Sequence, residues 1–183
     1  MERPHDPAPT RSSRAFVTKP PGFVGLFLNV GVWFLWSVGI GYLGHRRPLS
    51  AFTRETWWSA PRRFERDGRL YERELRIKQW KHRLPELGAL FDGGFAKRSV
   101  ARDASFIERF ICETRRAEWV HWIALSLWPV FAIWNPPWAV GVMFSYAVVV
   151  NVPCLLVQRY NRLRLQRVLT RVSSRRKTEC RER

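Results

Sequence analysis

The feature that most constrains this chain is the stretch from Trp119 to Gln158, 40 residues that contain no Asp, Glu, Lys or Arg. As a helix this stretch would be about 60 Å long, roughly twice the hydrocarbon thickness of a bilayer. Asn135-Pro136-Pro137 lies near its middle, where two prolines remove backbone donors and favour a turn. The stretch therefore predicts a transmembrane helical hairpin over 119–158, with its turn at 135–137 and both ends on one side of the membrane.

A second charge-free segment, residues 21–44, is 24 residues long, which is enough to cross a bilayer as a helix. Several glycines in it would let another helix approach closely, namely Gly25, Gly31, Gly39 and Gly41. Basic residues precede the segment, as they do in a signal peptide, so cleavage is the alternative. The apolar core is long for a signal peptide, however, and Ser37-Val38-Gly39 is a poor cleavage site. We therefore predict a retained membrane helix over 21–44.

The other three segments are polar. Residues 1–20 contain four prolines and no apolar periodicity, which predicts a disordered tail. Residues 45–118 carry 18 Lys and Arg against 11 Asp and Glu, which predicts a basic cytosolic or interfacial helical segment. Residues 159–183 carry ten Lys and Arg and predict a basic cytosolic tail. The expected fold is an all-α integral membrane protein with one N-terminal membrane helix, a basic amphipathic helical segment and a C-terminal membrane hairpin.

Within the basic segment, the turn signal Asp67-Gly68 precedes a pattern typical of an amphipathic helix. The apolar positions of that helix are Leu70, Tyr71, Leu75, Ile77 and Trp80. A β-hairpin about Asp67-Gly68 is the competing interpretation, because this dipeptide also favours a hairpin turn. Further along, we expect a helix to start at Asp103 and to run unbroken into the membrane at Trp119.

The charge of the chain indicates an anionic partner. A net charge of +17 is typical of proteins that bind nucleic acid or the anionic cytoplasmic leaflet. The apolar spans favour the membrane, and no nucleic-acid-binding motif is recognisable. Both hairpin ends are rich in Lys and Arg whereas the turn has none nearby, so the positive-inside rule puts both ends in the cytoplasm. We expect a multi-pass plasma-membrane protein that contacts membrane lipids and has its site at the cytoplasmic face.

The three cysteines, Cys112, Cys154 and Cys180, lie far apart in the chain and have no metal-ligand spacing. An odd number without a pairing pattern is typical of reduced thiols. We therefore predict neither a disulfide framework nor a metal site.

Polar side chains concentrate at the two ends of the hairpin, where polar groups are costly and usually have partners. Counting outward from the proline turn, His121 and Asn151 should lie at one depth just inside the membrane, with Glu113 and Arg159 at the rim. Glu118 precedes His121 by three residues and therefore shares its helix face. A carboxylate beside an imidazole can hold its tautomer and raise its basicity, as a general base for a hydroxyl requires.

These positions define a candidate site. The predicted catalytic residues are His121, Glu118 and Arg116, and an arginine there would stabilise an oxyanion, as Gln158 or Asn161 would. The predicted substrate-binding residues in the hairpin ends are Glu113, Arg115, Asn151, Gln158, Arg159, Tyr160 and Asn161. The alternative for the arginines is that they only anchor helix ends by snorkelling.

Several motifs resemble one known family. ETRRAEWVHWI, the Asn151-Val152-Pro153 step and VQRYNRLRL (157–165) are similar to the glycosyl-4,4'-diaponeurosporenoate acyltransferases of staphyloxanthin-type carotenoid biosynthesis. YLGHRRP (42–48) and QWKHRLPELG (79–88) also match the family pattern, and the latter adds Trp80 and Lys81 as candidate substrate-binding residues. The resemblance covers roughly residues 33–170.

The resemblance implies a small membrane enzyme that transfers a fatty acyl chain to the sugar C6 hydroxyl of a glycosylated carotenoid. An acyl-CoA or an acyl carrier protein would be the donor substrate, and no cofactor is expected. Direct transfer with His121 as base is the expected route, and an acyl-enzyme through Cys112 is the alternative. The donor's phosphates or acidic surface would meet basic residues, the candidates being Lys81, Arg83, Arg115, Arg116 and Arg159.

The resemblance leaves two questions open, the identity of the acceptor and the role of the chain itself. The acceptor is either the glycosylated carotenoid or another glycosylated isoprenoid or glycolipid. The chain is either the enzyme itself or a non-enzymatic membrane scaffold, and in both cases other carotenoid-pathway enzymes are possible partners.

Overall fold

A computed structural model describes residues 22–81 and 104–181. In this part of the chain every regular element is helical, so the β-hairpin alternative at Asp67-Gly68 is wrong. The α-helices are α1 (Gly22–Arg46), α2 (Arg69–Arg73), α3 (Ile77–Trp80), α4 (Ala104–Leu125) and α5 (Pro137–Arg181). Short 3₁₀ turns cover Leu49–Phe52, Arg63–Gly68 and Trp128–Ile133. The expected tail 1–20, Arg83 and the helix start at Asp103 lie outside the described residues.

Two of these helices, α1 and α5, are long and apolar enough to cross a membrane. Large apolar side chains on them stay exposed, among them Phe27 at 75% and Val149 at 70%. A water-soluble protein rarely exposes such a continuous apolar face, whereas lipid covers it without cost. These exposed faces therefore support the expected membrane association of α1 and of the first half of α5.

The hairpin forms, but its first leg is not one continuous helix. Helix α4 runs unbroken past Trp119, as expected, and ends at Leu125. Pro129 lies in the 3₁₀ turn that follows; it lacks a backbone N–H and its ring would clash with the carbonyl one turn earlier. The expectation of helix along the whole leg is therefore wrong beyond Leu125. Helix α5 then begins at Pro137, directly after the turn, and packs antiparallel against α4.

Helix α1 packs closely against α4 at Gly44, and the indole N–H of Trp36 donates to the Ile123 carbonyl of α4 at 3.3 Å. A methyl group placed on Gly44 would overlap Cγ2 of Val120, so only glycine lets the two helices meet there. By contrast, nothing lies within 4 Å of such a methyl group on Gly31, Gly39 or Gly41. Among the described residues no helix approaches these three glycines closely, so the expectation that they admit another helix stays a prediction.

The predicted amphipathic helix is broken into α2 and α3. Tyr71 and Ile77 are both buried against Tyr160 and Leu163 of α5. Six residues apart on one continuous helix, Tyr71 and Ile77 would point about 120° apart and could not both face that core. The helix therefore breaks at Arg76, which adopts a left-handed conformation with φ of 45°.

Candidate active site

His121 of α4 and Asn151 of α5 meet between the two helices, as predicted by counting residues outward from the proline turn. Nδ1 of His121 lies 3.1 Å from Oδ1 of Asn151, and the amide nitrogen of Asn151 donates to the Ala147 carbonyl at 3.0 Å. Because the nitrogen is committed to that carbonyl, the amide oxygen faces the imidazole and accepts from Nδ1–H. The hydrogen bond therefore selects the tautomer in which Nε2 carries the free lone pair, which is the form a general base needs.

Glu118 has a different partner from the one expected. Its carboxylate accepts a hydrogen bond from Nη1 of Arg159 at 2.9 Å and a shorter one from Nη1 of Arg162. Glu118 and Arg162 are both almost completely buried, at 1% and 0% side-chain exposure. His121 instead bonds Asn151, so the prediction that Glu118 orients this imidazole is wrong. The two nearby guanidinium groups hold the carboxylate, because a buried charge needs a partner of opposite sign.

Arg159 joins this pair to the segment between α1 and α2. Its guanidinium donates to Glu65 and also to the carbonyls of Trp58, at 2.8 Å, and Ala60, at 2.9 Å. Arg162 donates to the carbonyl of Ser59 at 2.7 Å. The two arginines thus satisfy three consecutive carbonyls of a loop and two buried carboxylates, which ties the loop to the polar ends of the hairpin.

Glu65 is the second carboxylate of this network. Burial alone would raise the pKa of Glu65, but hydrogen bonds from Arg159, the Arg62 backbone N–H and Tyr71 lower it below the ordinary value of 4.5. Burial and the bond to Glu65 raise the pKa of the Tyr71 phenol well above its usual range. Glu65 is therefore ionised and Tyr71 neutral at physiological pH. Glu65 accepts from Arg159, and the Tyr71 hydroxyl donates to Glu65 and so holds that carboxylate in place.

The remaining predicted residues on α4 are engaged in other contacts. Arg115 is buried and donates to the carbonyls of Phe52, at 3.1 Å, and Thr53, at 2.6 Å, besides an ion pair with Glu55 at 3.1 Å. Arg116 forms an ion pair with Glu113 at 2.5 Å on the surface of α4. Arg115 thus fastens the 3₁₀ turn at Leu49–Phe52 to α4. The predicted neighbourhood of Glu113 and Arg159 is wrong, since each has a different partner.

The last predicted substrate-binding residues lie around the C-terminal half of α5. The Tyr160 hydroxyl donates to Glu72 at 2.9 Å, and the ammonium of Lys81 lies 5.2 Å from the centre of the Tyr160 ring. The indole N–H of Trp80 donates to the Leu75 carbonyl at 2.9 Å. Gln158 and Asn161 are half-buried. Trp80, Lys81 and Tyr160 therefore form one packed cluster, which lies on the C-terminal side of Asn151 along α5.

Cys112, the residue of the acyl-enzyme alternative, is a poor nucleophile. Its thiol is half-buried, and burial raises its pKa, so the thiolate that attacks a thioester is scarce at neutral pH. The burial and the raised pKa of the Cys112 thiol therefore give no support to a covalent intermediate on this residue.

Sequence reasoning missed Glu65, Tyr71 and Arg162 as members of the buried network. Arg162 could have been predicted from the sequence, because it follows Arg159 by three residues and so shares its helix face. No sequence pattern indicates Glu65, since it lies 94 residues before Arg159 in a short 3₁₀ turn.

Comparison with known proteins gives a consistent result. Residues 54–171 match the sequence profile of the glycosyl-4,4'-diaponeurosporenoate acyltransferase family. Proteins of that name from Staphylococcus aureus strains USA300 and MRSA252 are each 33% identical over 139 residues, covering 75% of this chain and 83% of theirs. The protein of that name from strain Newman is 32% identical over the same length. No solved structure matches the chain.

The matched region contains α4, most of α5 and the whole buried network, and the expected resemblance is confirmed. A profile match over more than half the chain, together with the curated relatives, establishes the kind of protein and its reaction class. The chain belongs to the glycosyl-4,4'-diaponeurosporenoate acyltransferase family and is an acyltransferase of carotenoid biosynthesis.

Proposed function

We propose that this protein transfers a fatty acyl chain from a thioester donor to the primary C6 hydroxyl of the sugar of a glycosylated carotenoid. The observation that carries this proposal is the His121–Asn151 pair, in which the Asn151 amide oxygen bonds Nδ1 and leaves the lone pair of the imidazole on Nε2, within an apolar hairpin. A polyene acceptor needs an apolar surface and its sugar needs a polar rim, and the hairpin offers both. In this proposal the protein is a multi-pass plasma-membrane enzyme with its site at the cytoplasmic face.

The reaction proceeds by direct transfer. Nε2 of His121 removes the proton of the sugar hydroxyl as the oxygen attacks the thioester carbonyl carbon. The tetrahedral intermediate collapses with cleavage of the carbon–sulfur bond, and the imidazolium returns the proton to the leaving thiolate. The products are the sugar ester and the free thiol, and the imidazole is regenerated. Asn151 acts as a positioning residue, because it holds the Nδ1–H and thereby keeps the lone pair on Nε2.

The mechanism also needs a hydrogen-bond donor that stabilises the oxyanion of the tetrahedral intermediate. Arg116 is already paired with Glu113, which leaves the half-buried Gln158 and Asn161 as the candidates. Gln158 follows Asn151 by seven residues, which is about two helical turns or roughly 10 Å toward the cytoplasmic end on the same face. Its side-chain amide is our preferred donor to the thioester carbonyl oxygen.

The test is acyl transfer in membranes that contain a glycosylated carotenoid. Co-expression with a glycosyl-carotenoid producer is expected to add a fatty-acyl mass to the glycoside, measured by mass spectrometry. His121→Ala should lower turnover by about 10²- to 10⁴-fold, the range for loss of a general base. Ser126→Ala is the matched control, because Ser126 is an exposed residue of the same stretch whose hydroxyl only bonds the Ile123 carbonyl.

Three outcomes would contradict parts of the proposal. Near-normal turnover by His121→Ala at normal expression would remove His121 from the mechanism. Acylation of a different glycosylated isoprenoid or a glycolipid, with the carotenoid glycoside unchanged, would correct the acceptor. No acylated product from correctly inserted protein would favour the membrane scaffold.

A further inference from the structure

A groove of about 370 Å³ lies beside the cytoplasmic extension of α5, away from the His121–Asn151 pair. Its lining residues are Pro61, Leu163, Gln166, Arg167, Thr170 and Arg171. The five from α5 follow the spacing i, i+3, i+4, i+7 and i+8, so they form one continuous stripe on a single helix face. The mechanism above uses none of them. The volume falls within the range of small-molecule sites, roughly 300–1,000 Å³.

The chemistry of the groove combines two guanidinium groups with an apolar floor. Pro61 is exposed and supplies apolar surface, the buried Leu163 closes the floor, and Thr170 and Gln166 supply a hydroxyl and an amide. Arg167 is held in place, because Nη2 lies 3.9 Å from Glu72 and the side chain packs beside the Gly68 turn. Arg171 makes no ion pair with any residue in the described ranges. Guanidinium forks bind phosphates, and an apolar surface with amide groups suits a purine ring.

The acidic neighbours of the groove are already neutralised. Glu55, which accepts from Gln166 at 2.8 Å, is paired with the buried Arg115. Glu72 is paired with Lys78 at 3.0 Å. The local balance therefore remains positive, and an anionic ligand gains from it.

The position of the groove matches a carrier whose phosphates lie far from its thioester. Leu163 follows Asn151 by twelve residues on α5, about 18 Å along the helix axis. The pantetheine arm has about 13 bonds from sulfur to phosphorus, comparable to four or five residues of extended chain, or ~15 Å. A thioester near His121 would thus bring its diphosphate to the start of the groove.

From these relations we propose that the groove binds the 3'-phosphoadenosine diphosphate end of a coenzyme A thioester, the acyl donor. This inference rests on the proposed function for the identity of the thioester. It replaces the expected donor contacts of Arg115 and Arg159, since both side chains are committed to internal carbonyls and carboxylates. Arg167 and Arg171 hold the phosphates, and the exposed Pro61 contacts the adenine ring.

The test is coenzyme A binding to the full-length protein in lipid nanodiscs without acceptor, measured by isothermal titration calorimetry. The variant Arg167→Ala/Arg171→Ala should bind coenzyme A at least ~10-fold more weakly, since each lost bond to a charged group removes a substantial part of the affinity. Arg164→Ala, an exposed arginine outside the stripe of the same helix, is the matched control and should keep its affinity within about 3-fold. Dephospho-coenzyme A should bind the wild type more weakly than coenzyme A, and the double variant should lose that preference.

Several results would overturn the inference. One is equal affinity of the double variant and Arg164→Ala for coenzyme A. A second is acyl transfer from acyl carrier protein with no coenzyme A binding, which would leave the proposed function standing. A third is binding seen in phosphatidylcholine discs but abolished by phosphatidylglycerol, which would assign the groove to lipid headgroups. Coenzyme A binding without any acyl transfer would retain the groove and refute the proposed function. If the double variant does not fold, Arg171→Gln alone, at an exposed position, decides the question.

Discussion

The imidazole of His121 and the side-chain amide of Asn151 meet across α4 and α5 with Nδ1 and Oδ1 3.1 Å apart, and Asn151 is itself fixed by Ala147. A neutral amide in this position holds the ring without placing a second charge in an apolar part of the chain, where an unpaired carboxylate would be costly. The available carboxylate, Glu118, is used instead one turn away to neutralise Arg159 and Arg162. The helix hairpin thus separates the His121–Asn151 pair from a charged structural network.

Replacement of Asn151 tests the orienting role of its amide. Asn151→Leu removes the acceptor for Nδ1–H, so we expect kcat to fall by about 10- to 100-fold with KM little changed, as for lost support of a catalytic group. Asn151→Asp keeps an acceptor oxygen and should retain more of kcat than the leucine variant. Steady-state kinetics in isolated membranes measure both values. Equal kcat for the two variants would show that the amide does not orient the imidazole.

Removal of Glu118 should destabilise the fold strongly. Glu118→Ala leaves Arg162 buried without its ion-pair partner, and breaking a buried pair costs about 3–5 kcal/mol. Glu113→Ala is the matched control on the same helix, because its pair with Arg116 is partly exposed and such pairs contribute about 0.3–0.5 kcal/mol. Thermal unfolding in detergent, followed by size-exclusion chromatography, measures the difference. Similar melting temperatures for the two variants would contradict the structural role of Glu118.

The acid stability of the protein should depend on Glu65. The folded-state pKa of Glu65 lies below its ordinary value of 4.5, so the ionised carboxylate stabilises the fold. This contribution is complete above that ordinary value, which applies to the unfolded chain, and is lost as the pH falls through the folded-state pKa. The melting temperature of Glu65→Gln should therefore decline less steeply below that pH than that of the wild type. Glu113→Gln should keep the wild-type slope; a shared slope for all three proteins would refute the prediction.

The contact of α1 with α4 should depend on one glycine. Gly44→Ala places a methyl group against Cγ2 of Val120, a stiff β-branched side chain, and overpacking of this kind costs about 1–3 kcal/mol. Gly41→Ala has open space around it and should stabilise α1 by about 0.5–1 kcal/mol through helix propensity. Thermal unfolding in detergent compares the signs of the two effects. Stabilisation by both substitutions would show that α1 does not rest on α4 at Gly44.

Counting residues outward from the proline turn predicted one pair of neighbouring residues correctly and another wrongly, for one physical reason. Counting residues from the proline turn locates Cα atoms along two antiparallel helices, which is sufficient for the short side chains of His121 and Asn151. Arginine reaches several ångströms along the helix axis, so Arg159 bonds Glu118 although the count placed it beside Glu113. Glu113 bonds Arg116 three residues further along α4 because that pair is local.

The sequence alone determined the features that follow from local composition: the apolar helices α1 and α5, the proline turn and the family motifs around His121 and Asn151. Tertiary structure alone decided how the charges pair, since Glu118 and Glu65 lie 41 and 94 residues from Arg159. A buried arginine takes the carboxylates and carbonyls that packing brings within reach, and neither periodicity nor spacing encodes that distance. The same long-range packing broke the predicted amphipathic helix at Arg76 and formed the groove beside Arg167.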